Sequence, residues 1–231
     1  MISKNILRKK FDKDAQNYDN RIRSHIKGYD EMHDTIVNIL PFSRQKSINI
    51  LDLGIGTGSL DLKLLEKYQR AKLLGLDLSE EMLKISQHRL RKYKNRIRLK
   101  RVDFDSESLK GKYDIIIACL AIHHLTDMRK KLLYKKLGGQ LKKGGYIIIA
   151  DMVKSPFILY QDKYMDFWKQ NLRNNGYDEE YIEKCYADKY LKEDIPALLS
   201  EQIRWIGQAG VEKVECFWKR YHFAVFGGIK K

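Results

Sequence analysis

Three acids and three glycines in the first half of the chain stand where a bound nucleoside could use them. The segment ILDLGIGTGSL (50–60) reads as a strand running into a glycine turn and then a helix. Gly54, Gly56 and Gly58, with Ile55 between the first two, permit a tight turn and close approach of the backbone to a ligand. Their spacing is G-x-G-x-G and lacks the third-glycine spacing of the dinucleotide fingerprint. Asp52 sits two residues before the first glycine. A carboxylate there opposes a pyrophosphate but suits an ammonium group, and the helix N-terminus after Gly58 suits a carboxylate. Ammonium plus carboxylate is the amino-acid end of S-adenosylmethionine.

Two further acids end the next two strands. Asp77 lies 19 residues after Gly58, where a carboxylate can accept both ribose hydroxyls. Asp103, in RVDFD, can accept from an adenine amino group while Phe104 offers an aromatic edge. Any one of these acids alone reads equally as a turn or cap residue. Three in succession beside a glycine turn mark the crevice where open α/β sheets bind ligands. His123 and His124 follow the fourth strand, beside the expected reactive group, and either suits a proton acceptor; packing is their plain alternative. Tyr18 and Arg23 belong to a helix expected to close over the cofactor carboxylate, or to a solvated helix face. Tyr160, Tyr164, Trp168, Tyr221 and His222 are candidate pocket walls or core.

The elements that must hold these residues alternate. Strands are expected at 47–53, 71–78, 96–104, 113–120 and 146–153, and helices at 58–68, from Glu80 to about Arg91 with Ser79 as N-cap, and at 127–141. This alternation predicts a parallel sheet with helices on both faces. Residues 211–229 read as two long strands turning at Lys219-Arg220, an antiparallel hairpin at the sheet edge. A last crossover helix is expected over 194–210, stopped by Gly210. Residues 154–193, rich in Tyr, Phe and Trp, are too long for a plain connection and read as a helical cap. Before the first strand, residues 1–40 are expected as N-terminal lid helices, and residues 11–40 suggest two of them with Gly28 between them.

With 231 residues and 43% hydrophobic content, the chain can bury the core of one domain without disulfides or a structural metal. Its three cysteines, Cys119, Cys185 and Cys216, show no metal-ligand spacing, and no metal is expected. No apolar run approaches the ~18 residues of a membrane span, and the N-terminus lacks a signal-peptide core, so a cytoplasmic location away from membranes is expected. The formal charge of +15 raises RNA as a partner. The charge is segmental: residues 84–112 carry eleven basic and three acidic residues, residues 129–143 seven basic and none acidic, and residues 154–205 eight basic and ten acidic. The two basic helices are expected on opposite faces of the sheet, which disfavours one continuous RNA footprint. Oligomeric state is barely constrained, and a homodimer fits the sequence.

The segments ILDLGIGTGSL, GLDLSEEML, RVDFD, YDIIIACLAIHHL and LKKGGYIIIADM, in this order over residues 48–153, resemble the class I S-adenosylmethionine-dependent methyltransferases. That resemblance implies a Rossmann-like α/β fold with a seven-stranded mixed sheet, order 3-2-1-4-5-7-6, the last strand antiparallel. FDKDAQNYDNRIRSHIKGYDEM (11–32), NNGYDEEYIEK (174–184) and RYHFAVFGG are similar to carboxy-S-adenosylmethionine synthase, a wobble-uridine tRNA modification enzyme, and its methyltransferase relatives. Carried over by position, Tyr29 contacts the amino-acid end of the cofactor, and Gly54, Ile55 and Gly56 form the loop. Asp77 and Leu78 then form the ribose site with Met82 nearby, Asp103 and Phe104 the adenine site, and Cys119 and Leu120 the methionine side. The arginine with which that synthase holds its extra carboxylate corresponds to Trp205; Arg204 is adjacent but about 100° round the helix.

The expected activity is therefore methyl transfer from S-adenosylmethionine to a small molecule, leaving S-adenosylhomocysteine, with His124 favoured over His123 as base. The rival enzyme reading is tRNA wobble-uridine modification. The rival outside catalysis is a cofactor-binding regulatory or RNA-binding protein.

Overall fold

In the computed structural model, which describes residues 4–107 and 109–231, the alternation read from the sequence becomes one sheet. Strands β1 (Asn49–Leu53), β2 (Lys72–Asp77), β3 (Ile97–Arg101), β4 (Tyr113–Cys119) and β5 (Leu141–Lys154) are parallel. A two-residue β6 (Ala197–Leu198) pairs with the end of β5. β7 (Val211–Arg220) and β8 (Phe223–Lys230) form the C-terminal hairpin, with β8 antiparallel to both β5 and β7. The spatial order is β3-β2-β1-β4-β5-β8-β7. Leaving β6 out of the count, this is the expected seven-stranded order.

Side chains alternate across the sheet as strand geometry requires. On one face Ile50, Ile115, Ile117, Ile148 and Val225 pack against α3 (Tyr29–Ile39) and α4 (Ser59–Lys67). On the other, Leu51, Ile116, Ile147, Ile149 and Phe226 pack against α6 (Asp127–Gln140) and α9 (Leu199–Gln208). Strands covered on both faces read as continuous apolar runs. α5 (Glu80–Arg89) starts at Ser79, whose Oγ accepts from the Met82 amide at 3.1 Å, as the cap reading predicts. Leu83 and Leu90 put α5 against the first face, so the basic α5 and α6 do lie on opposite faces. Lys130 departs from the basic-surface reading of α6. It is 1% exposed and donates to the carbonyls of Leu125 and Ile195, each at 2.5 Å.

The two helices expected over 11–40 are α2 (Tyr18–His25) and α3, with Gly28 at φ 88 between them, and α1 (Lys4–Asp14) precedes them. The first three residues of the expected lid lie outside the described residues. Four boundaries differ from expectation. β5 starts at Leu141 rather than 146, where Leu141 pairs with Tyr113 ahead of a register shift. β3 stops at Arg101 rather than running to 104, because Asp103 closes a turn by accepting from the Asp105 amide at 3.1 Å. The last crossover helix begins at Leu199 rather than 194. The Ile195 amide donates to the His123 carbonyl at 2.7 Å, and Pro196 disfavours helix at the residue before it. The hairpin turns at Tyr221-His222, not Lys219-Arg220, and the His222 carbonyl accepts from the Val153 amide at 2.8 Å. The expected cap segment forms α7 (Ile158–Asn174), α8 (Glu179–Cys185) and a wide-turn helix over Tyr186–Glu193.

Helices α6 and α9 touch through Gly138, where a β-carbon would lie 2.2 Å from the Ala209 carbonyl oxygen; at Gly139 it would meet nothing within 4 Å. Gly138→Ala is expected to destabilise by about 1–3 kcal/mol through overpacking, whereas Gly139→Ala gains up to ~1 kcal/mol of helix propensity. Thermal unfolding of the two variants checks the contrast.

Candidate functional site

The carboxyl ends of β1 to β4 open onto one cavity of about 290 Å³. Its floor is the glycine turn. The Gly54 and Ile55 amides donate to the Leu76 carbonyl at 2.8 and 2.9 Å, and the Gly56 amide donates to Asp77 Oδ2 at 2.8 Å. Gly54, at φ 80, is also sterically required: a β-carbon there would lie 2.6 Å from that of Ala121. Asp77 Oδ1 accepts from the Ser79 amide at 2.8 Å. Backbone amides of Gly56 and Ser79 fix the carboxylate, and that of Leu78 adds to them, short of a carboxylate's roughly four acceptor sites. Burial nevertheless prevails and raises the Asp77 pKa.

Of the residues the sequence nominated, Tyr18, Gly54, Gly56, Asp77, Leu78, Met82, Asp103, Phe104, Cys119, Leu120 and His124 line this cavity. Tyr29, Asp52 and Ile55 line a small adjoining cavity beneath the turn, with Cys119 and Leu120 shared between the two. Gly58 lines neither; it precedes α4 and packs against Ser86 and Leu90. Arg23 is not brought to either cavity. Its Nε is 3.3 Å from Asp30 Oδ1, and its guanidinium lies 5.5 Å from the Tyr29 ring centre.

Residues that sequence reasoning passed over come mainly from α1. Lys4, Leu7 and Phe11 line the cavity beside Tyr18 of α2. The two helices are tied to three separate turns, one each at the carboxyl ends of β1, β2 and β3. Asp12 Oδ1 accepts from Ser79 Oγ at 2.6 Å, Asp19 Oδ1 accepts from Thr57 Oγ1 at 2.6 Å, and Lys4 donates to Asp103 and to Asp105, the latter at 2.9 Å. Burial raises the Asp103 pKa, but Lys4, Ser106 and the Asp105 amide outweigh it and hold the carboxyl low.

A second cavity of about 110 Å³ adjoins the first, sharing Leu7, Phe11, Tyr18, Leu120 and His124. Ile22, Trp168 and Phe223 form apolar walls, and Arg21, His123, Asp194 and His222 polar ones. Among the other candidate wall residues, Tyr160 is exposed, and Tyr164 and Tyr221 pack on each other away from this cavity. Trp205 is buried in the core under α9, and Arg204 is exposed, paired with Glu201.

The histidines occupy different environments. The buried His123 sets Nδ1 against Asp151 Oδ1 at 2.5 Å, and its Nε2 is 3.6 Å from Asp194 Oδ1. Burial lowers its pKa, but the two aspartates outweigh that and the net shift is upward. For His124, burial and the neighbouring His123 prevail and lower the pKa. A neutral imidazole therefore stands where the two cavities meet.

The chain belongs to the class I S-adenosylmethionine-dependent methyltransferases. A family profile described as "Methyltransferase domain" matches residues 50–145. An uncharacterised methyltransferase of Bacillus cereus is 33% identical over 161 residues, 69% of this chain and 73% of that protein. Carboxy-S-adenosyl-L-methionine synthase of Nautilia profundicola is 26% identical over 94% of this chain and 92% of its own length. The fold is that of the magnesium protoporphyrin IX methyltransferase of Synechocystis PCC 6803, solved with bound SAH (TM-score 0.67, 16% identity, 99% of each chain). Against several other solved methyltransferases the chain spans about half their length. The chain is thus a methyltransferase, and among its described residues no helix is long and apolar enough to cross a membrane.

Beneath the glycine turn Asp52 and Asp61 form a carboxyl pair, 2% and 0% exposed. Burial raises both, the charge of Asp61 pushes Asp52 further, and Asp61 is pushed up to about 7. An unfolded Asp titrates near ~4. The folded chain keeps a proton the unfolded chain has lost, so stability falls as pH rises from about 4 to about 7. Asp61→Asn carries no such penalty. Its Tm should gain on wild type through that interval and then level off; a gap that stays constant contradicts the assignment.

Proposed function

We propose that the chain transfers the methyl group of S-adenosylmethionine to a small-molecule acceptor held in the second cavity, and releases S-adenosylhomocysteine. The observation that carries this reading is the meeting of the two cavities at His124. A transferred methyl must pass between cofactor and acceptor with water excluded.

The chemistry of the first cavity matches the three parts of the cofactor. Asp77 accepts the ribose hydroxyls on its free lone pairs. Asp103 and Phe104 would hold the adenine, at the place where Lys4 pairs with Asp103. The glycine turn, Asp52 and Tyr29 meet the amino-acid end, and Leu78, Met82, Cys119 and Leu120 give apolar contact. The bound cofactor supplies an electrophilic methyl on a sulfonium. The protein aligns the acceptor behind it and, where the acceptor starts protonated, takes that proton on His124. His123, clamped by Asp151, fixes the backbone that carries His124.

Phe11, Tyr18, Ile22, Trp168 and Phe223 suit an apolar or aromatic acceptor body. Arg21 Nη1 is buried with no hydrogen-bond partner among the described residues, which suits an anionic or carbonyl group on that body. Residues 154–193 act as the cap through Trp168, Cys185 and Glu193. tRNA modification is the less favoured reading. The basic helices face opposite ways, and no arginine occupies the position of Trp205.

Incubation of the chain with methyl-labelled cofactor and a metabolite extract should label a small molecule; label appearing in tRNA instead would reverse the preference. Asp77→Ala should weaken cofactor binding at least ~10-fold, about 1.4 kcal/mol, the scale of one hydrogen bond to a charged group. Calorimetry showing unchanged affinity removes the ribose assignment.

A further inference from the structure

His123, His124 and Asp194 offer one ligand atom each, and these atoms all lie within 4.8 Å of one another. His124 Nδ1 and His123 Nε2 are 3.3 and 3.6 Å from the same Asp194 oxygen. Ligands at the 2.0–2.2 Å bond lengths of tetrahedral zinc stand roughly 3.4 Å apart. Both nitrogens of His124 are buried and make no well-aligned hydrogen bond among the described residues, despite the nearness of Asp194. Imidazole and carboxylate atoms this close but misaligned are spaced as ligands around a common centre are spaced.

The surroundings of the cluster are those of a metal-binding histidine. Asp151 Oδ1 faces His123 Nδ1 and leaves Nε2 as the free nitrogen, the carboxylate–histidine arrangement that orients and strengthens a ligand. Asp151 is itself anchored: its Oδ2 accepts from the Ile122 and His123 amides at 2.8 and 3.0 Å. Asp194 is held from the next residue, because the Ile195 amide donates to the His123 carbonyl at 2.7 Å and Lys130 donates to the Ile195 carbonyl. Nothing in methyl transfer requires this second carboxylate to be locked against two histidines.

We propose that His123 Nε2, His124 Nδ1 and Asp194 form a binding site for one divalent transition-metal ion of the zinc class. Two imidazoles and one carboxylate select zinc, iron(II), cobalt or nickel over magnesium and calcium. Three protein ligands leave a fourth position for water or for an acceptor heteroatom. The cluster lines the acceptor cavity, and His124 borders both cavities, so the ion sits at the acceptor end of the methyl path. The lone pair of a ligating nitrogen is unavailable for protons, so cation and proton compete for the pair. The sequence could not announce this site, since Asp194 lies 70 residues beyond His124 with no spacing signature.

Cobalt(II) titration of the whole chain, with neither cofactor nor acceptor present, tests the site apart from methyl transfer. Failure here leaves the proposed function standing, and failure of turnover leaves the site standing. The expected result is one Co²⁺ per chain, with the intense visible bands of a four- or five-coordinate ion, displaced by Zn²⁺. Asp151→Asn should weaken binding about 10–100-fold. His124→Ala and Asp194→Ala should abolish it, while His88→Ala, on the exposed face of α5, binds as wild type. A readout without variants is the Co²⁺-shifted proton spectrum, expected to show two imidazoles each with one retained N–H, on Nδ1 of His123 and on Nε2 of His124. Absence of saturable binding to folded wild type, or full-strength binding in both His124→Ala and Asp194→Ala, overturns the proposal.

Discussion

Three consecutive amides at the end of β1 hang on the last two residues of β2. Gly54 and Ile55 donate to the Leu76 carbonyl, and Gly56 donates to the Asp77 carboxylate. Everything at the mouth of the sheet follows from that attachment. It stops β1 in a glycine turn rather than letting the chain run on. It fixes Asp77 with its remaining lone pairs available. It also sets the start of α4, whose turn residue Thr57 receives Asp19 of α2. An acid at this position is a structural acceptor that keeps acceptor capacity to spare, because a carboxylate has about four acceptor sites.

The N-terminal helices close this mouth by polar contacts more than by packing. No residue of α1 is buried, yet Lys4 and Asp12 each reach a turn at the carboxyl end of a strand. Such contacts are exposed or half-buried and individually worth little. The surroundings of the second cavity are built differently. Lys130, Asp151 and the Ile195 backbone form a buried network around the histidines, and buried networks of this kind are rigid when fully satisfied.

Most of the sheet was legible in the sequence because apolar runs of four to eight residues separated by turn residues have one economical solution, the parallel α/β sheet. The first cavity was legible for a related reason: most of its residues sit at the ends of consecutive strands, so local text places them side by side. Tyr18, nominated as part of a helix over the site, does line the cavity, but Arg23, one and a half turns along, folds back onto Asp30 and Tyr29. What local text cannot show is contact across long separations. Lys4 meets Asp103, and Asp194 meets His123, only after the chain has folded. The backbone bonds of Ile195 erased the first turn of the expected last helix for the same reason. The basic reading of α6 failed at Lys130 because the carbonyl of Leu125, just before that helix, and that of Ile195, 65 residues beyond Lys130, accept a buried ammonium.

The most direct measurement is a crystal structure of the chain with S-adenosylhomocysteine. The account places the ribose hydroxyls on Asp77, the adenine between Phe104 and Asp103 with Lys4 moved aside, and the sulfur toward His124 at the meeting of the two cavities. A nucleoside bound elsewhere, or one whose ribose lies away from Asp77, would contradict it.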